Sequence, residues 1–130
     1  MLVVDDNRDA ADTLAQALTA FGHDVRVAYD GPSALTVFAE FRPVLAFLDI
    51  GLPVMDGYEL ARHLREIDPT HTLTLVAVTG YGQKADRERS ESTGFDRHLV
   101  KPVPVDEVLA LASENTPRDP RRGKTRVALN

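Results

Sequence analysis

Four places in this chain set a chemically capable group directly behind a short apolar run. Asp5-Asp6 follows Leu2-Val3-Val4, Asp49 follows Val44-Leu45-Ala46-Phe47-Leu48, Thr79 follows Leu73-Thr74-Leu75-Val76-Ala77-Val78, and Lys101 follows Leu99-Val100. Acids, a hydroxyl and an ammonium gathered at one point would bind a divalent cation and handle a phosphoryl group. The apolar runs supply the gathering. As parallel strands of one sheet they deliver all these groups to the same edge, and the carboxyl edge is where open α/β sheets bind ligands.

Asp5, Asp6 and Asp49 cannot all ionise comfortably side by side. Two unit charges 4 Å apart repel by roughly 4 kcal/mol at an effective dielectric near 20, so either one carboxyl keeps its proton or a cation sits among them. Oxygen ligands without His or Cys select Mg²⁺, or Mn²⁺ in its place, over zinc. Asp49 stands alone at the end of the most apolar run and is the candidate nucleophile, because carboxylates form acyl-phosphate intermediates. Lys101 would neutralise charge on the transferred group, and Thr79 would hydrogen-bond one of its oxygens.

The elements that must position these groups alternate along the chain. Asn7 is placed to cap a helix carrying Leu14, Ala17, Leu18 and Phe21 on one face and stopping at Gly22. Asp24 to Tyr29 reads as a second strand, and Asp30-Gly31-Pro32 opens a helix with Leu35 and Phe38 inward that Pro43 ends. The run from Val44 to Leu48 is apolar on both faces, as a central parallel strand should be. Asp56 and Glu59 form an acidic capping box for a helix burying Leu60, Leu64 and Ile67 and ending before Pro69. A fourth strand covers Leu73 to Val78, followed by a Gly80-Tyr81-Gly82 loop and a polar helix over roughly Lys84 to Thr93. Phe95 to Val100 makes the fifth strand and Val105 to Ala112 the last helix. This alternation predicts a parallel sheet with helices on both faces.

Composition sets the bounds. The 130 residues, 43% of them hydrophobic, suit one domain with a single core. Without cysteine there are no disulfides, thiolate metal sites or cysteine nucleophile, which agrees with a cytoplasmic setting. No apolar stretch approaches the roughly 20 residues of a membrane span, and no signal-peptide pattern is present. Residues 1–113 hold 10 Lys/Arg against 18 Asp/Glu, a net of −8, while residues 114–130 carry a net of +3. The acidic body argues against nucleic-acid binding by the fold. Residues 114–130, with Pro117, Pro120 and clustered arginines, read as a disordered basic tail or linker. Only Met1 precedes the first strand, so the chain reads as a fragment of a longer protein or one with a misplaced start.

The segments LVVDDN, FLDIGLPVMDGYEL, AVTGYGQ and GFDRHLVKPV together resemble a two-component response-regulator receiver domain over about residues 2–113. The wording of TGYGQ and HLVKPV is most similar to receivers attached to hybrid histidine kinases. The resemblance implies a flavodoxin-like, doubly wound five-stranded parallel sheet of order 2-1-3-4-5. It implies Asp49 as phosphoacceptor, and Asp6, Asp49 and the backbone carbonyl of Gly51 as Mg²⁺ ligands, with Asp5 acting through water. Thr79 becomes the switch hydroxyl, Lys101 the phosphate-binding lysine and Lys101-Pro102 a cis bond. It further implies a phosphohistidine donor on a sensor histidine kinase or histidine phosphotransfer domain, a downstream protein target, and output through the polar helix, fifth strand and last helix. In this picture the chain catalyses its own phosphorylation and turns over no separate substrate.

Two departures from the family matter. The switch aromatic, three residues before the lysine, is His98, whose ring titrates near pH 6.5 when unperturbed. Gly51 and Tyr81, two residues past Asp49 and Thr79, cannot orient an attacking water. Two other functional classes fit less well. A Mg-dependent phosphohydrolase needs a second acid where Gly51 stands, and a degenerate receiver serving only as an interaction domain would not retain every site residue. Gly80-Tyr81-Gly82 lacks the lysine and spacing of a P-loop, and His23, His63 and His71 are too scattered to ligate one metal.

Overall fold

The computed structural model describes residues 1–68, 72–80 and 94–114. Within them the elements run β1 (Leu2–Val4), α1 (Arg8–Ala20), β2 (Arg26–Ala28), α2 (Gly31–Phe41), β3 (Leu45–Asp49), α3 (Gly57–Ile67), β4 (Thr74–Thr79), β5 (Arg97–Val100) and α4 (Val105–Glu114). The strands form one five-stranded sheet in the order β2-β1-β3-β4-β5, every pairing parallel. This is the flavodoxin-like order expected from the resemblance. The helix expected over roughly residues 84–93 and the tail from residue 115 lie outside the described residues, as do Tyr81 and Gly82 of the expected loop.

Side-chain alternation divides the core into two layers. Leu2, Val4, Ala46, Leu48, Leu75 and Ala77 pack against Ala34 and Phe38 of α2 and Leu60, Ala61 and Leu64 of α3. Val3, Leu45, Phe47, Val76 and Val78 face the opposite way, onto Ala11 and Leu18 of α1 and Val108 and Ala112 of α4. All of β3 is buried because both its faces are covered.

Each of the first three helices starts on a side-chain cap. Asn7 Oδ1 accepts from the Ala10 amide at 3.1 Å, Asp30 Oδ1 from Ser33 at 2.7 Å, and Asp56 Oδ1 from Glu59 at 2.9 Å. Losing such a cap typically costs about 1 kcal/mol. Arg42 ends α2 in the left-handed conformation immediately before Pro43.

Two expected core residues are not in the core. Phe21 is 65% exposed and Ile67 is 40% exposed. Phe21 is the C-cap of α1 and Ile67 the last residue of α3, so the apolar periodicity runs on past the point where the sheet can cover it. Strand limits also shift by a residue or two, with β3 and β4 extending to include Asp49 and Thr79 themselves. Among the described residues no helix is long and apolar enough to cross a membrane.

Candidate functional site

Parallel pairing carries the polar groups to the carboxyl edge. The Asp5 amide extends the β1–β2 ladder by donating to the Ala28 carbonyl at 3.2 Å, and the Lys101 amide extends the β4–β5 ladder to Thr79 O at 2.7 Å. Asp49 and Thr79 are the last residues of β3 and β4, where Asp49 registers with Val78 and Thr79 with Val100. The Lys101-Pro102 bond is cis.

Asp5, Asp6 and Asp49 place one carboxylate oxygen each within 4.8 Å of one another. Asp5 and Asp49 are buried and Asp6 is exposed. The Asn7 amide donates to Asp5 Oδ1 at 3.0 Å and the Gly51 amide to Asp49 Oδ1 at 2.9 Å. Lys101 Nζ lies 2.8 Å from Asp5 Oδ2 and 3.4 Å from Asp49 Oδ2. One ammonium is thus shared unequally by two carboxylates, with a third beside them.

Burial pushes the Asp49 carboxyl above its usual range, the Gly51 amide and the Lys101 charge pull it back, and Asp5 adds to the upward push. Burial works to lower the Lys101 pKa, but the hydrogen bond to Asp5 and the charges of Asp49 and Asp5 outweigh it and raise the value. Three crowded hard-oxygen donors, one of them reluctant to ionise, fit a small divalent cation such as Mg²⁺. Gly51 reaches Asp49 through its amide.

Thr79 is fully buried and forms a second pair beside this cluster. Its Oγ1 lies 3.2 Å from Nε2 of the half-buried His98 and 3.5 Å from the Leu99 carbonyl oxygen. The structure therefore brings Asp5, Asp6, Asp49 and Lys101 together and turns the Thr79 hydroxyl toward β5.

Sequence reasoning missed three contributors. A Cβ on Gly57 would stand 2.5 Å from Ile50 Cα and 2.7 Å from the Asp49 carbonyl oxygen, so only glycine lets α3 close on the strand end carrying Asp49. The signal for it was the glycine directly after the Asp56 cap. Val54, in the loop after Asp49, is 97% exposed at a φ of 68°, which is costly for a β-branched residue. The third is a cavity of about 440 Å³ between α1 and the start of α4, lined by Asp49, Lys101, Ala10, Thr13, Leu14 and Val103. It opens directly beside Asp49 and Lys101.

The family model for the response regulator receiver domain matches residues 1–113. The chain is 36% identical over 114 residues to an uncharacterised 14.6 kDa protein of Leptolyngbya boryana, covering 88% of this chain and 87% of that protein. It is 31% identical over 133 residues to the DNA-binding dual master transcriptional regulator RpaA of Synechocystis sp., covering 100% of this chain but 55% of the regulator. The chain thus spans about half the length of that relative. Among solved structures, a CheY-like response regulator receiver domain protein from Methanospirillum hungatei JF-1 superposes with a TM-score of 0.79 at 30% identity, covering 87% of this chain and 89% of that one.

Proposed function

This chain belongs to the response regulator receiver family, and we propose from that membership that it accepts a phosphoryl group on Asp49 from a phosphohistidine of a sensor histidine kinase or histidine phosphotransfer domain. The observation that carries the reading is the geometry at Asp49. Its Oδ1 is held by the Gly51 amide, which leaves Oδ2, 3.4 Å from Lys101 Nζ, as the attacking atom beside the cavity. Oδ2 forms the new bond to phosphorus as the phosphorus–nitrogen bond breaks, and the imidazole leaves with the electron pair.

Lys101 then has a phosphoryl oxygen to pair with in place of the Asp49 carboxylate, while its bond to Asp5 holds its position. Asp6, Asp49 and the Gly51 carbonyl would hold Mg²⁺, with Asp5 acting through water. That cation supplies neutralisation of charge on the transferring oxygens. The protein modifies itself and turns over no separate substrate. Residues 1–113 form the receiver, residues 114–130 a basic tail, and the protein works in the cytoplasm. It signals to a protein target through a face that includes β5 and α4, where Val100 and Val105 are exposed.

Incubation with Mg²⁺ and acetyl phosphate, followed by intact-mass measurement, tests the reading. Wild type is expected to gain one phosphoryl group and Asp49→Asn none. A full adduct on the variant would move the nucleophile elsewhere.

A further inference from the structure

The Thr79 hydroxyl has two described neighbours, and together they favour one direction for its hydrogen bonds. A hydroxyl brings one proton and two lone pairs. The Leu99 carbonyl, 3.5 Å away, can only accept, so any hydrogen bond between the two is donated by the Thr79 hydroxyl. With that proton so directed, the 3.2 Å contact to His98 is a hydrogen bond only when Nε2 carries a hydrogen and donates. A bare Nε2 would set two acceptors competing for one proton at a residue with no exposed surface, where an unsatisfied polar group is costly.

We infer that His98 is a positioning residue for Thr79: its Nε2–H donates to Oγ1 and leaves the hydroxyl proton free to turn from the Leu99 carbonyl to an oxygen of the phosphoryl group. The inference rests on the reading of Asp49 as phosphoacceptor. No covalent bond changes. The donor from His98 stays on Oγ1 in both states, and only the hydroxyl proton changes its acceptor. In the phosphorylated state the arrangement is a chain from Nε2–H through Oγ1–H to the phosphoryl oxygen, in which each bond polarises the next. An aromatic ring without a nitrogen at position 98 would fill the space and supply no donor. Glutamine there carries an amide N–H at similar reach.

Two measurements test this. The first is the ¹⁵N shift of His98 Nε2 in wild type, with and without Mg²⁺ and beryllofluoride. It is recorded near pH 8, above the ordinary imidazole pKa of about 6.5, so that a proton on Nε2 reports the tautomer. The second is the beryllofluoride affinity of wild type, His98→Gln and His98→Phe. Nε2 is expected to be protonated in both states. Affinity should stay within about twofold in His98→Gln and fall roughly tenfold in His98→Phe, the worth of one hydrogen bond to a buried hydroxyl. A bare Nε2 in either state overturns the inference whether or not the variants fold, and so does equal affinity across all three proteins. Bound beryllofluoride with a bare Nε2 strikes at His98 alone. Failure of wild type to bind beryllofluoride strikes at the reading of Asp49 and removes the phosphoryl oxygen that the chain of bonds would serve.

Discussion

At the amino edge of the sheet Arg65 is bonded on every side, whereas at the carboxyl edge Lys101 is divided between carboxylates that repel one another. Arg65, on the last turn of α3, donates from Nε and Nη2 to Gly94 O at 3.0 and 2.7 Å, from Nη2 to Asp96 Oδ2 at 2.7 Å, and from Nη1 to Leu73 O. Both acids nearby have further donors. Asp68 accepts from the Leu73 amide and the Thr72 hydroxyl, and Asp96 from the Leu75 amide. The planar guanidinium fork suits such a site because its N–H groups point in fixed directions at several acceptors. Both clusters mix acids with one cation, yet only the carboxyl edge has more negative charge than its donors satisfy. The first cluster ties α3 to the starts of β4 and β5. The second leaves negative charge over, which a divalent cation among the three acids would balance.

The largest effect should come from breaking the satisfied end. Arg65 has a side chain only 12% exposed, so Arg65→Ala takes this donor from the Gly94 and Leu73 carbonyls and removes the positive charge beside Asp68 and Asp96. A loss of about 3 kcal/mol is expected, read from the midpoint of urea unfolding. Arg65→Lys should recover less than half of it, because one ammonium cannot reproduce the fork. A loss below about 0.5 kcal/mol, the range of ordinary surface substitutions, would mean that the amino edge is not the anchor.

The two ends also differed in how far they could be read from sequence. Asp5, Asp6, Asp49, Thr79 and Lys101 were legible because each closes an apolar run, and parallel strands carry run-ends to one edge whatever the details of packing. Sheet order was legible only through the family resemblance, since alternation alone leaves several orders open. Arg65 was not legible. It looks like any charge in the last turn of a helix, and its partners lie 8, 29 and 31 residues away. The Thr79–His98 bond was hidden for a similar reason, because it depends on a register that pairs Ala77 with His98. Phe21 and Ile67 were misread because periodicity says which way a side chain points and not whether anything stands there to cover it.

A smaller effect of opposite sign is expected at the unsatisfied end. Asp49 ionises above its ordinary value of 3.8 in the folded protein, mainly because it is buried. Between that value and the raised one, the folded state holds a proton that the unfolded chain has released, so stability falls as pH rises through this window. Below the window the group is neutral in both states and the penalty is absent. Metal-free Asp49→Asn should therefore be more stable than wild type at neutral pH, by about 1 kcal/mol or roughly 4 °C in Tm. The difference should shrink as pH falls through the raised pKa. Saturating Mg²⁺ should reverse the order, because binding stabilises only the protein that keeps its ligand. A variant less stable than wild type at neutral pH without Mg²⁺ would show that Lys101 already balances the charge at this edge.

The smallest change in stability is expected at Asp6, and it shows which member of the acid cluster carries the conflict. Asp6 is exposed, while Asp5 and Asp49 are buried and share Lys101. Water screens an exposed carboxylate from its neighbours, so Asp6→Ala should shift unfolding free energy by no more than about 0.5 kcal/mol. Its effect on metal affinity should be far larger. A divalent cation among these oxygens loses one of its few charged ligands, and Mg²⁺ ordinarily relies on only one or two protein carboxylates. Calorimetric titration is expected to show Mg²⁺ affinity falling at least tenfold in Asp6→Ala while the urea midpoint without metal stays near wild type. Wild-type affinity in both Asp6→Ala and Asp49→Ala would remove the metal from this edge. A large stability change in Asp6→Ala alone would place the electrostatic conflict across all three acids, and not within the buried pair that shares Lys101.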